Sequence, residues 1–462
     1  MRLYLIFLLC SILTACGDPV ARDIDDLIAG GEDAERAKMS LSLAKKSAIA
    51  PLIAALQERE HISRARVDMV EALKSLYLRE PDERILQALI AHIDDDDPAV
   101  RRKIAWAFGD LRQNESVGPL LGQLERETDN AVRMEILLGL EIMGMSTSRS
   151  NLFDSEVSTE KMDDEERKQF TRILGQLAQQ DLGDSLRLKT LEWLEIVAEE
   201  KTVDAHNLML KADLENAEKL LLEALDLIPD SRNVNQKLGQ FYYDNDQQEK
   251  GLELLSEFGM VMRVPRLDRP PVIDGILDDA QWQKMEPVTE FFQCIHKLRA
   301  YPIEGDSEAY VGWHNNVLYI GVKGYESSTD NLTATAQQRD EASWRDDCVE
   351  VFLDVNHDRV TYCQIVTNSL GTIFDQYNDG SSRGGNLSWN GEYEVATQVG
   401  EDFWSVEIGI TATQFDKEIS PGDVWGFNVA RIRIANAAEY GQWVPTYGFA
   451  LRPERFGFLI FN

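Results

Sequence analysis

The run Ala342-Ser343-Trp344-Arg345-Asp346-Asp347-Cys348-Val349-Glu350-Val351-Phe352-Leu353-Asp354 gathers most of the residues in this chain that could do chemistry. A tryptophan where a polar loop hands over to an apolar strand either plugs the end of a core or faces outward to stack on a ligand. The polar neighbours Glu341, Ser343, Arg345 and Asp346 favour exposure. Glu350 lies inside an apolar run, where an acid is costly unless it finds a partner or water. Asp346, Asp347 and Glu350 are also the carboxylates nearest to a hydrolytic arrangement, but glycoside hydrolysis needs two of them across a cleft. Here they share one short stretch, no second segment is identifiable as the opposed partner, and no P-loop or HExxH motif is present. No catalytic site is expected. Asp354, Asn356 and Asp358 alternate as oxygen ligands of the kind calcium takes. Arg359 and Ile365 stand where a helix–loop–helix calcium loop carries glycine and glutamate, and a hairpin turn explains the pattern as well.

The elements available to hold such groups are written in two styles. Asp97-Pro98-Ala99-Val100-Arg101 and Asp129-Asn130-Ala131-Val132-Arg133 open helical patterns 32 residues apart. Ile104, Ala107, Phe108 and Leu111 continue the first at helical spacing, and Ile136, Gly139, Leu140 and Met143 the second. Ala50–Leu56 and Gly118–Leu124 repeat the partner helix. This resembles HEAT repeats, whose helix pairs each have one apolar face that only a stacked neighbour can bury. They are expected over 32–200, behind a tether over 16–31. Ala217 and Gly251 lie 34 residues apart and resemble a tetratricopeptide-like helical repeat over 203–258. A linker is expected over 259–270, where Arg263–Pro271 breaks the helical period. Beyond it, short apolar runs alternate with turn clusters: Ala309–Trp313, Val317–Val322, Val349–Leu353, Thr361–Thr367, Tyr393–Thr397, Trp404–Ile410, Trp425–Ile434 and Phe456–Phe461. The fold class is therefore multidomain, an N-terminal α-helical solenoid followed by a C-terminal antiparallel β-sandwich over 271–462.

With 80 acids against 47 bases in 462 residues, the net charge is −33, which repels phosphate backbones and argues against a nucleic-acid partner. Met1-Arg2, the apolar Leu3–Leu13 and Leu13-Thr14-Ala15-Cys16 resemble a bacterial lipoprotein signal over 1–15, with Cys16 as the lipidated residue. A plain signal peptide cut near Ala15 is the alternative. Gly17 after the cysteine implies, by that resemblance, lipid anchoring at the outer membrane. Cys294, Cys348 and Cys363 remain. A hairpin centred near His357 does not set Cys348 opposite Cys363, and at most one bridge can form among the three, with no pairing assigned.

Ile273-Asp274-Gly275-Ile276-Leu277-Asp278-Asp279-Ala280-Gln281-Trp282 opens an ordered set of motifs. Trp313, Asn315-Asn316, Leu318–Gly321, Trp344–Asp354 and Trp425–Asn428 follow, then Trp443 and Phe456-Gly457. The set resembles the family 9 carbohydrate-binding modules over about 271–462. The resemblance implies a non-catalytic sandwich that clamps a poly- or oligosaccharide end between two tryptophans, here Trp344 and Trp443. It also implies that Glu350 accepts hydrogen bonds from sugar hydroxyls. Flat rings suit the C–H patches of a sugar, and carboxylates, amides and guanidinium groups suit its rim. Arg431 is the expected donor, with Arg433 on the same sheet face; Gln364 and Asn368 are further candidates, and either Asn436 or Gln442 could supply an amide. No cofactor is required, though the resemblance allows a structural calcium. Trp282, Trp313, Trp404 and Trp425 are expected in the core. Two other readings stand beside this one: a scaffold whose helical repeats bind a protein partner, and a haem-binding sandwich with ligands drawn from His296, His314, His357 and Met285.

Overall fold

The computed structural model describes residues 18–58, 60–143, 162–296, 299–381, 385–435, 438–448 and 450–462. The signal over 1–15 and Cys16 lie outside the described residues, as does Asn436. The chain falls into two compact units, the first extending to Glu200 and the second running from Lys201 to Asn462.

The first unit is helical: α1 (Pro19–Ala29), α2 (Glu32–Ser42), α3 (Ile49–Gln57), α4 (Ser63–Arg79), α5 (Glu83–Ala91), α6 (Pro98–Leu111), α7 (Val117–Arg126), α8 (Asn130–Ile142), α9 (Asp164–Ala178) and the start of α10 (Asp184–Met209). The repeated Asp-x-Ala-Val-Arg motif works at both ends. Its aspartate is the N-cap: Asp97 accepts from the Ala99 amide and Asp129 from those of Ala131 and Val132, satisfying donors that the first helical turn leaves free. In the second copy its arginine, Arg133, donates to the Glu127 carbonyl and Asn130 beside its own helix start. In the first copy the arginine joins the repeats, Arg101 donating from Nε and Nη2 to Glu127 at 2.7 and 2.8 Å. The buried Arg66–Asp95 pair does the same one repeat earlier at 2.8 Å. The expected tether over 16–31 is instead largely helix α1. Ile24 and Leu27 give that stretch an apolar face, which is buried. No helix among the described residues is long and apolar enough to cross a membrane.

The second unit begins with the end of α10 and with α11 (Leu214–Leu227), α12 (Arg232–Asp244) and α13 (Gln248–Glu257). Ala205, Ala217, Leu221, Leu238, Phe241 and Tyr242 form their core. The helices cross closely at Gly251, where a Cβ would stand 2.6 Å from the Gly239 carbonyl oxygen. Two sheets follow. The larger runs β3 (Arg299–Pro302), β2 (Phe292–His296), β12 (Glu439–Gln442), β11 (Val424–Arg433), β6 (Cys348–Asp354), β7 (Tyr362–Asn368), β8 (Ile373–Asn378), with β13 (Gly457–Phe461) also on β11. The smaller runs β4 (Ser307–His314), β5 (Val317–Tyr325), β10 (Phe403–Thr411), β9 (Tyr393–Val399). Among the described residues, every strand pair is antiparallel except one. Residues 259–270, expected as a linker, contain β1 (Val261–Val264), which pairs parallel with β13. Alternation explains why that strand is hard to foresee: of its four residues only Val264 is buried.

Val349, Val351 and Leu353 of β6 face Val311, Ile320, Val406 and Ile408 of the smaller sheet, and side chains of this kind each contribute roughly 1.5–3 kcal/mol on burial. Trp282, Trp313, Trp404 and Trp425 are buried, as expected. The Ile273–Trp282 motif is a structural staple. Glu407 on β10 accepts from the Asp274 and Gly275 amides at 2.8 Å each and from Trp282 Nε1 at 2.6 Å. Gly275 has φ +89°, and a Cβ there would meet the Thr397 backbone at 2.6 Å, so no other residue fits.

Candidate ligand-binding face

The outward face of the larger sheet carries polar groups along β6 and β7, where the inward face of β6 is apolar through Val349, Val351 and Leu353. Glu350 pairs across the sheet with Val366 of β7 and Ala430 of β11, and Ala430 with Gln442 of β12. One row along, Phe352 pairs with Gln364, and Gln364 with Gln376. These side chains join into a chain of hydrogen bonds. Tyr440 Oη donates to Glu350 Oε2 at 2.9 Å, Gln364 bonds the same carboxyl, and Gln376 Nε2 donates to Gln364 Oε1. Gln442 lies beside it, its Oε1 accepting from the Thr446 amide and its buried Nε2 without a partner. At the β8 end Trp344 packs edge-on against Phe374, ring centroids 4.4 Å apart, and is 39% exposed.

Glu350 is 4% exposed. Burial pushes its carboxyl up to about 7, against the lowering effect of the Tyr440 and Gln364 hydrogen bonds. Burial also raises the Cys348 thiol well above its usual value. This face offers a flat ring, a carboxyl and amides, a set suited to hydroxyl groups and C–H patches.

Several expected site residues belong elsewhere. Arg431 pairs with Val349, not with Glu350, so it points into the sandwich. There it is 1% exposed and donates to Glu326 at 2.6 Å, to Ser307, and to the Asp306 and Tyr325 carbonyls. Arg433 shares that side and reaches Glu326 and Glu439. Trp443, expected as the second platform, is 3% exposed; it packs against Phe427 within the core, and a Cβ on Gly457 would touch it. Asn368 spends its whole amide inside the fold, donating to Ala336 and Asp346 and accepting from Leu370 and Thr372. Trp344, Glu350 and Gln364 share the outward face, Asn368 lies on it across from Cys348 with its amide already spent, and Trp443 and Arg431 lie inside the sandwich.

Asp346 and Asp347 anchor loops. Asp346 accepts from the Thr335 amide and hydroxyl and the Ala336 amide, and Asp347 from the amides of Thr333, Ile434 and Ala435. Both carboxylates are fully buried in these bonds. The calcium candidates are a turn: Asp354 accepts from the Asp358 and Arg359 amides, and Asp358 from those of Val360 and Thr361. No group of three or more metal-ligating acidic, histidine or cysteine side chains occurs among the described residues. Of the haem-ligand candidates, His314 bonds the Leu267 carbonyl, Met285 is core, and His357 packs on Phe458 and Tyr243, with burial pulling its imidazole down to about 4. Cys348 and Cys363 are unbridged, paired across β6 and β7 with Asn368 and Leu353.

Tyr440, Phe374 and Gln376 were not evident from sequence. Strand β12 is four residues long and interrupted by Gly441, and β8 mixes Asp375, Gln376 and Asn378 into its apolar pattern.

The C-terminal sandwich is a family 9 carbohydrate-binding-like domain, and the first unit carries HEAT repeats. Residues 273–445 match the family described as "Carbohydrate family 9 binding domain-like". Residues 49–141 and 86–161 match HEAT repeats. Among individual proteins, the chain is 27% identical over 172 residues to endo-1,4-beta-xylanase A of Thermoanaerobacterium saccharolyticum, a match covering 37% of this chain and 13% of that enzyme. It is 26% identical over 172 residues to exoglucanase XynX of Acetivibrio thermocellus, covering 37% and 14%. The chain thus spans about a seventh of the length of either relative. A family 9 carbohydrate-binding module from Caldicellulosiruptor kristjanssonii, solved with cellotriose, is 20% identical at TM-score 0.34, covering 44% of this chain and 93% of the module.

Proposed function

We propose that this protein is a non-catalytic carbohydrate-binding protein whose outward sheet face takes the end of a β-linked oligosaccharide of the cellulose or xylan type. The observation that carries the reading is the Tyr440–Glu350–Gln364–Gln376 chain beside the half-exposed Trp344 ring. A carboxyl whose described partners are neutral exchanges hydrogen bonds with sugar hydroxyls at lower cost than one locked to a cation. The names of the relatives, a xylanase and an exoglucanase, supply the substrate class to be tried first. Lipidation of Cys16 would anchor the protein at the outer membrane. The HEAT repeats and the tetratricopeptide-like helices would serve as spacer or docking surface.

A second reading is favoured by the burial of Glu350, Gln364 and Gln442: a scaffold lipoprotein whose sandwich no longer takes sugar. Titration of the full chain with xylo- and cello-oligosaccharides, followed by tryptophan fluorescence, separates the two. Saturable quenching that disappears in Trp344→Ala supports sugar binding. No response across both series, and across a wider glycan panel, leaves the scaffold. Released reducing ends would overturn the non-catalytic part of the proposal.

A further inference from the structure

Residues 450–456 cover part of the outward face, Ala450 and Phe456 packing with Phe352, Tyr362 and Ala430. The sandwich alone does not hold this segment. Arg455 Nη1 donates to Asn233 Oδ1 at 2.7 Å and to Gln236 Oε1 at 3.0 Å, and both acceptors lie on α12. Gln236 Nε2 returns a bond to the Arg455 carbonyl at 2.8 Å, and Gln240 Nε2 bonds the Glu454 carbonyl at 3.1 Å. Arg455, Asn233 and Gln236 are all buried. The segment also connects onward to the face. Arg452 Nη1 donates to the Thr446 carbonyl at 3.2 Å, and the Thr446 amide donates to Gln442 Oε1 at 3.1 Å. An unbroken run of polar contacts therefore leads from α12 to the amide standing one strand beyond Ala430 and Glu350.

A covering segment with little more than one short helical turn of its own has low local stability, and its position is set by whatever grips it from outside. We infer that α12 is part of the binding apparatus, with Asn233 and Gln236 as positioning residues that set 450–456, and through it Gln442, over the Glu350 face. The inference rests on the sugar-binding reading above and assigns the helices before the sandwich a role in ligand affinity beyond spacing. A second bridge from the same helix supplies the control. Asp244 pairs with Arg359 in the turn after β6, so it ties the same helix to the sandwich through a different segment.

The test uses the full chain and two readouts, amide hydrogen exchange over 450–456 and oligosaccharide affinity. Gln236→Ala, alone and with Asn233→Ala, is expected to speed exchange in 450–456 about tenfold and weaken affinity about tenfold, with exchange in β6 and β11 unchanged. Asn233→Asp keeps an acceptor for Arg455 and is expected to retain both wild-type values. Asp244→Ala is expected to lower the melting temperature while changing neither readout. Unchanged exchange in the Gln236 variants overturns the positioning role. Faster exchange with unchanged affinity overturns its connection to binding. If the wild type binds none of the sugars the sugar-binding reading fails, and the exchange arm still decides whether α12 positions the segment.

Discussion

The two faces of the larger sheet, one residue apart along β6 and β11, handle buried polarity in opposite ways. Inside the sandwich Arg431 meets Glu326, and Arg433 joins the same carboxylate, so charge is neutralised by charge at 2.6 and 3.0 Å. On the outward face Glu350 is held by a phenol and an amide, and burial raises its carboxyl to about 7. Pairing with fixed opposite charge makes a group structural, because removing either partner strands the other. Neutral partners leave a carboxyl able to change its proton and its hydrogen bonds. Trp443 and Trp344 divide in the same way, the first packed against Phe427 inside the core and the second half open on Phe374.

The inward face is where substitutions should cost most. Arg431→Ala leaves Glu326 partly unpaired in the interior and Trp443→Ala empties a large core site; each is expected to cost about 3–5 kcal/mol in chemical denaturation. A loss below about 1 kcal/mol for either would erase the contrast between the faces. Glu350→Gln comes next. The folded-state value near 7 stands above the ordinary 4.5, so the native state holds the proton more tightly than the unfolded chain. Its favourable contribution is complete below about pH 4.5 and is lost as pH rises through 7. Replacing it by glutamine should flatten that part of the stability profile and stabilise the protein at pH 8 by on the order of 2–3 kcal/mol. Asp354, raised by burial to about 6, leaves a residual slope of the same sign. An unchanged profile in the variant would remove Glu350 from the account. Gln376→Ala is expected to cost least, about 1 kcal/mol for one hydrogen bond to Gln364.

Much of this was legible in the sequence because periodicity reports burial directly. The Asp-x-Ala-Val-Arg motif announces capped helices, and all eight expected strand runs are strands. The alternation along Cys348–Asp354 places Val349, Val351 and Leu353 together and Glu350 opposite them. What periodicity cannot report is register. Whether Arg431 or Ala430 stands beside Glu350 depends on how β6 and β11 slide past each other, and one residue exchanges the faces. Trp443 follows the last residue of β12 and looked like a loop residue, yet its amide bonds the Val429 carbonyl and draws the ring into the core. Asn368 resembled a ligand, and Asp346 and Asp347 the nearest approach to hydrolytic carboxylates, because loop anchors and functional groups use the same side chains. Only the partner tells them apart.

The central claim is that the outward face, not the Trp443 side, takes the sugar. Parallel oligosaccharide titrations of Trp344→Ala and Trp443→Phe in the full chain test it most directly, phenylalanine being chosen to keep the core filled. Loss of binding in Trp344→Ala with near-wild-type affinity in Trp443→Phe is the predicted result; binding that survives the first substitution and disappears with the second would contradict it.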